Sequence, residues 1–191
     1  MKTIDTCIKT ILSALAVLFF CTACTGINEK QLALDPVVST TGNMRQFVTQ
    51  QRREFFQLKD AYLKTKQPAH LARMSEIMEL MRDELERAEY FQKNNRYYRS
   101  GLDHERWKSA ERIYELCRKS LCEMMIVAGE LHMNNGDSQY AAALFRAVVD
   151  GFEPGEDIAV YVEQANLFVQ KLNKSDLYAK STVTNNQESN K

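Results

Sequence analysis

An all-α fold is predicted for this 191-residue chain. It holds only seven Gly and three Pro, so few positions interrupt a helix. Long stretches consist of Glu, Lys, Arg, Leu, Met and Ala, which lose little on entering one. Apolar residues recur at three-four spacing over most of the sequence, the period of a helix with one buried face. The expected architecture is a helical hairpin or bundle, then a further helix pair and a capping helix.

Residues 1–23 have the layout of a secretory signal peptide. Lys2 and Lys9 precede an apolar run from Ile11 to Phe20, and Cys21-Thr22-Ala23 supplies small residues before a cut. The apolar run falls short of the roughly 20 residues needed to span a bilayer, though an uncleaved anchor is a third reading beside the two that follow. Cys24, directly after Thr22-Ala23, resembles the modified cysteine of the bacterial lipoprotein lipobox. The resemblance implies that Cys24 carries a diacylglyceryl group and becomes the mature N-terminus, held stably by two or three acyl chains. Cys21 stands where that pattern prefers Leu or another aliphatic, so plain cleavage to a soluble periplasmic protein is the alternative. Thr25 rather than Asp follows Cys24, which by the same resemblance implies sorting to the outer membrane, periplasmic face.

Removing Lys2, Lys9 and Asp5 from 25 basic and 25 acidic residues leaves 23 and 24. That balance gives no electrostatic case for nucleic acid. In the mature chain the further cysteines are Cys117 and Cys122, five residues apart. On one continuous helix they are too distant to bridge, and no Gly or Pro marks a turn at Arg118–Leu121, so two buried thiols are expected. His70, His104 and His132 show no metal-ligand spacing with each other or with these cysteines. No cofactor is expected.

Residues 24–41 read as the lipidated N-terminus and a flexible tether, with a random-coil span of about 20–25 Å. The helical domain is expected over 42–173. Its first helix runs from Asn43 to Lys66, capped by Thr41 or Asn43, with Met44, Val48, Phe55, Leu58 and Tyr62 on the buried stripe. Gln67-Pro68 ends it. A second helix, Ala69 to about Asn94, buries Leu71, Met74, Met78, Met81, Leu85 and Ala88. Its opposite face carries Glu76, Glu79, Arg82, Asp83, Glu86 and Arg87, read as a solvated face with pairs Asp83–Arg87 and Glu89–Lys93. The two form an antiparallel hairpin. Tyr97, Tyr98 and Trp107 either stack on a sugar or partner or plug the hairpin's end. From Asp103 a third helix buries Trp107, Ala110, Tyr114, Cys117 and Leu121. Residues 174–191 are polar and expected to be disordered.

Between Cys122 and Gly155 two amphipathic segments meet at Asn134-Asn135-Gly136-Asp137. Small residues, Ala128-Gly129 on the first and Ala141-Ala142 on the second, allow close approach, while Phe145 and Val148 add bulk. Residues 122–155 resemble one tetratricopeptide repeat: Ala128-Gly129 match its small pair, Gly136-Asp137 its turn, Ala141 and Phe145 its second helix. Pro154 lies one residue past its closing proline. Met125 and His132 stand where Trp and Tyr are common. Ala110 and Tyr114 fit a degenerate earlier copy two residues out of phase. The alternative is a generic helical hairpin. Asp157 to Leu172 reads as the capping helix.

Such repeats bind peptides or proteins on the inner face of their first helices. Carried over, the resemblance implies a partner-binding face of Glu123, Ile126, Glu130, Met133 and Asn134. Its mixed apolar and acidic character points to a basic or amphipathic segment. The expected function is a membrane-anchored adaptor or assembly factor for an envelope complex of secretion, pilus or outer-membrane assembly type. The alternatives are a soluble periplasmic binding or chaperone-like protein and an envelope enzyme acting on peptidoglycan. No catalytic residue is assigned, because the sequence carries no nucleophile–base pair, metal motif or phosphate loop.

Overall fold

The computed structural model describes residues 36–94, 102–152 and 155–188. The signal segment, Cys24, most of the tether, Tyr97, Tyr98 and Pro154 lie outside them. The fold is all-α, with α1 at Pro36–Thr65, α2 at Pro68–Asn94, α3 at Leu102–Asn134, α4 at Ser138–Asp150 and α5 at Ala159–Glu188.

Two boundaries differ from the sequence expectation. Helix α1 begins at Pro36 inside the expected tether. Proline suits a first helical position, where its missing N–H has no partner to lose, and Thr41 is buried one turn before Met44. Helix α5 continues to Glu188 through the segment expected to be disordered, which contains no Gly or Pro to stop it.

Helix α1 closes at Lys66, a non-glycine residue at φ 56° whose amide donates to the Tyr62 carbonyl at 2.8 Å. Pro68 then opens α2. The buried stripe of α1 includes Met44, Val48, Phe55 and Tyr62, and that of α2 includes Met74, Ile77, Met78, Met81 and Ala88. On the outer face of α2, Arg87 turns to the buried Glu84 at 3.1 Å rather than to Asp83, and Lys93 pairs with Glu89 as expected.

Helix α3 is one continuous element of 33 residues, about 50 Å long. The segments read from sequence as a degenerate earlier helix and the first helix of a repeat are therefore a single rod. It packs on all four other described helices. Contacts Arg52–Glu123 and Tyr62–Asn135 make α1 parallel to α3, and Arg118–Asp157 and Gln164–Glu130 make α5 parallel to it. The antiparallel α2 fits against α1 and α3, and the antiparallel α4 against α3 and α5.

The α3–α4 turn follows from Gly136 at φ +84°. Its amide donates to the Met133 carbonyl at 3.1 Å and that of Asp137 to His132 at 2.9 Å, the two bonds of a Schellman closure. Asp137 then caps α4, accepting from the Tyr140 amide at 3.3 Å. Higher up, Phe145 of α4 lies directly on Gly129 of α3. A Cβ at Gly129 would fall 2.6 Å from the Phe145 ring. On its other side the ring stacks on Phe168 of α5, with centroids 4.6 Å apart and planes at 12°.

Cys117 and Cys122 are both buried free thiols in the core. Burial pushes both up to about 12 from an ordinary 9.0. Neutral thiols are therefore what the fold accommodates. Their contribution to stability is complete below about pH 9 and is lost as pH rises from there towards about 12. Both resist alkylation at pH 8 in native protein and react in urea; peptide mapping that finds either modified under native conditions contradicts this burial.

Gly129→Ala forces the Phe145 ring aside and lowers stability by about 1–3 kcal/mol in urea titration. Gly136→Ala meets nothing within 4 Å and costs only its left-handed backbone, about 1 kcal/mol. The separating observation is the near-ultraviolet signal of the Phe145–Phe168 pair, which only the first substitution changes.

Candidate functional site

Helices α1 and α3 splay on the side away from α2 and leave a seam between them. Its widest part, about 850 Å³, has Val48 and Phe56 of α1, Leu116 and Ser120 of α3, and Tyr161 of α5 among its walls. It continues into a space of about 520 Å³ that shares Thr49, Leu116 and Lys119. That leads to a narrow end of about 260 Å³ sharing Arg45 and Arg112. From Thr41 to Asp60 the seam follows α1 for about 28 Å at 1.5 Å per residue.

Val48 is fully buried and forms the floor, while Phe56, Leu116 and Tyr161 are half-buried and leave apolar surface in the seam. Arg52 donates two hydrogen bonds to Glu123, each at 2.9 Å, and lies 5.1 Å above the Phe56 ring. The Glu123 bonds hold the Arg52 guanidinium above its ordinary value. Burial and then the Glu123 carboxylate push the Tyr161 phenol up, so it stays a neutral hydroxyl. Near the narrow end, burial followed by Glu111 and Asp157 raises Glu115.

An ion pair braces the wall of the seam where Asp157 lines it. Arg118, buried on α3, donates to both oxygens of Asp157 in the α4–α5 connection and lies 5.1 Å over the Tyr114 ring. Gly155 leaves room for this fork, since a Cβ there would fall 2.5 Å from the Arg118 guanidinium.

Of the five residues expected as a partner-binding face, one is buried in the core and two are held by side chains of other helices. Glu123 reaches the seam, but it is paired with Arg52. Ile126 is buried in the core, so it presents nothing to a partner. Glu130 accepts a hydrogen bond from Gln164 of α5 at 3.1 Å. Met133 is half-buried against the core, and Asn134 is exposed at the last turn of α3. Cys24 lies outside the described residues.

The seam is lined on α3 by Leu116, Lys119, Ser120 and Glu123, earlier in the helix than expected. The α1 wall and Tyr161 were missed from sequence. A signal for the wall was present: Arg45, Thr49, Arg52, Phe56 and Asp60 recur at three-four spacing beside the buried stripe. Of the aromatic candidates, Trp107 is half-buried and stacks on His104 at 5.8 Å.

Among the described residues, no helix is long and apolar enough to cross a membrane, and no cluster of His, Cys, Asp and Glu is placed to hold a metal ion. Comparison with protein-family models, curated proteins and solved structures finds no match to this chain.

Asp157→Ala removes the carboxylate that pairs with the buried Arg118. The expected loss is about 2–3 kcal/mol, below the range for a wholly buried pair because Asp157 is partly exposed. Chemical denaturation measures it, and a loss under 0.5 kcal/mol, roughly that of an ordinary surface change, contradicts the bracing role.

Proposed function

We propose that this chain is a lipid-anchored adaptor of a bacterial envelope, tethered through Cys24 at the periplasmic face of the outer membrane. Its helical domain holds a segment of a partner protein in an assembly of secretion, pilus or outer-membrane type. The observation that carries the reading is the seam: about 28 Å of continuous concave surface with an apolar floor and charged rims. Helix-in-groove recognition uses that combination, apolar anchors for affinity and flanking charge for register.

The order of helices supports a tetratricopeptide-like reading of residues 122–155. Helices α1, α3 and α5 run parallel and border the seam, while α2 and α4 return antiparallel behind them. Gly129 beneath Phe145 supplies the close helix approach such a repeat requires.

The test is photo-crosslinking in cells, with the reactive side chain at Gln57 in the seam or at Glu79 on the outer face of α2. A discrete crosslinked partner is expected from Gln57 and not from Glu79. Cys24→Ala is expected to abolish both lipid labelling and membrane recovery. If wild type takes no lipid label yet still crosslinks from Gln57, the soluble periplasmic reading replaces the anchored one. Equal products from both positions sink the adaptor reading.

A further inference from the structure

We infer that the seam takes an acidic amphipathic helix of a partner protein, the reverse of the charge preference expected from Glu123 and Glu130. The inference rests on the adaptor reading above and adds the chemistry of the occupant.

The argument is one of charge after internal pairing. Glu123 is neutralised by the Arg52 fork, while Glu130, hydrogen-bonded to Gln164, is not among the residues lining the seam. Asp157 is likewise held by Arg118. Among the described residues, four cations of the seam lie outside these pairs: Arg45, Arg53, Arg112 and Lys119, all exposed. Against them stand Asp60 at one end and Glu115 beside Arg112. The narrow end places Arg45 and Arg112 around one space with Thr41 and Ser109, and among the described residues no carboxylate lines it. The positive excess is therefore concentrated from the narrow end to the middle.

Shape selects the occupant. The apolar strip of Phe56, Leu116 and Tyr161 lies between the cations at the bottom of a concave seam. A helix with one apolar stripe flanked by Glu or Asp reaches the strip and both rims together, whereas a flat layer of anionic headgroups meets the rims alone. A seam of about 28 Å accommodates some 18 helical residues. Each cation answered across the seam also raises the on-rate and makes binding salt-dependent.

The experiment uses the full-length protein and a displayed library of 18-residue helical peptides with a fixed leucine stripe and Glu, Gln or Lys at the flanking positions. Selection is expected to enrich Glu. A chosen peptide is expected to lose at least tenfold in affinity against the Arg53→Glu/Lys119→Glu double variant and to weaken with added salt. Selection on that variant is expected to turn from Glu towards Lys. Arg82→Glu on the outer face of α2 serves as the charge control and leaves binding unchanged. Far-ultraviolet circular dichroism checks that both variants keep their helices.

Enrichment of Lys or of no charge on the wild type overturns the inference, as does affinity indifferent to the double variant. Co-sedimentation with phosphatidylglycerol vesicles that needs Arg53 and Lys119, without peptide selection, assigns the cations to lipid and also overturns it. Crosslinking from Gln57 to a basic partner segment would refute the charge assignment while leaving the adaptor reading intact.

Discussion

The seating of Phe145 on Gly129 is the contact on which the second half of the molecule depends. Full burial of a phenylalanine contributes about 1.5–3 kcal/mol, and a stacked aromatic partner adds about 0.5–1.5. The position of the ring matters as much as its area. The ring meets α3 at Gly129, where a side chain is missing, and stacks on Phe168 of α5. A single side chain therefore sets the separation of α3 and α4 and aligns α5 alongside. Tyr161, one wall of the seam, sits two turns before Phe168 on the same helix. The shape of the seam is thus linked to an absent methyl group on the far side of α3.

Much of this architecture can be read in the residues. The stripe from Met44 to Tyr62, the break between α1 and α2 at Gln67-Pro68, the glycine turn at Gly136 and the small pair at Ala128-Gly129 each follow from period or backbone chemistry, and each is where the sequence puts it. The site was harder to read, and Ile126 shows why. Assigning faces by period assumes that a helix has a polar side from which to set the phase. Helix α3 packs on four others, and between Cys117 and Leu131 most positions are buried, Arg118 and Ser120 among them. What opens to the seam is a strip through Arg112, Glu115, Leu116, Lys119, Ser120 and Glu123. One strip on a nearly all-round buried helix leaves too weak a periodic signal to locate. Tyr161 escaped for a different reason, since it joins the site through tertiary packing alone.

The charge character of the seam shows a related limit of residue counting. Glu123 and Glu130 look like an acidic face when α3 is considered alone. Their partners come from other helices, Arg52 at 71 positions' remove and Gln164 at 34. Surface pairs of this kind contribute little to stability, under about 1 kcal/mol. The Arg52–Glu123 pair also affects which charges of the seam are left to act outwards, and among the described residues the cations Arg45, Arg53, Arg112 and Lys119 outnumber Asp60 and Glu115.

The unbroken length of α3 also bears on how the molecule comes apart. Arrays of short helical units fray from their ends because each unit touches only its neighbours, and their stability is close to a sum over units. Here the element shared by α1 and α2 is the same rod that seats α4 and α5. Loosening either half strips part of the surface that the other half packs against. Sharing that rod couples the melting of the five described helices.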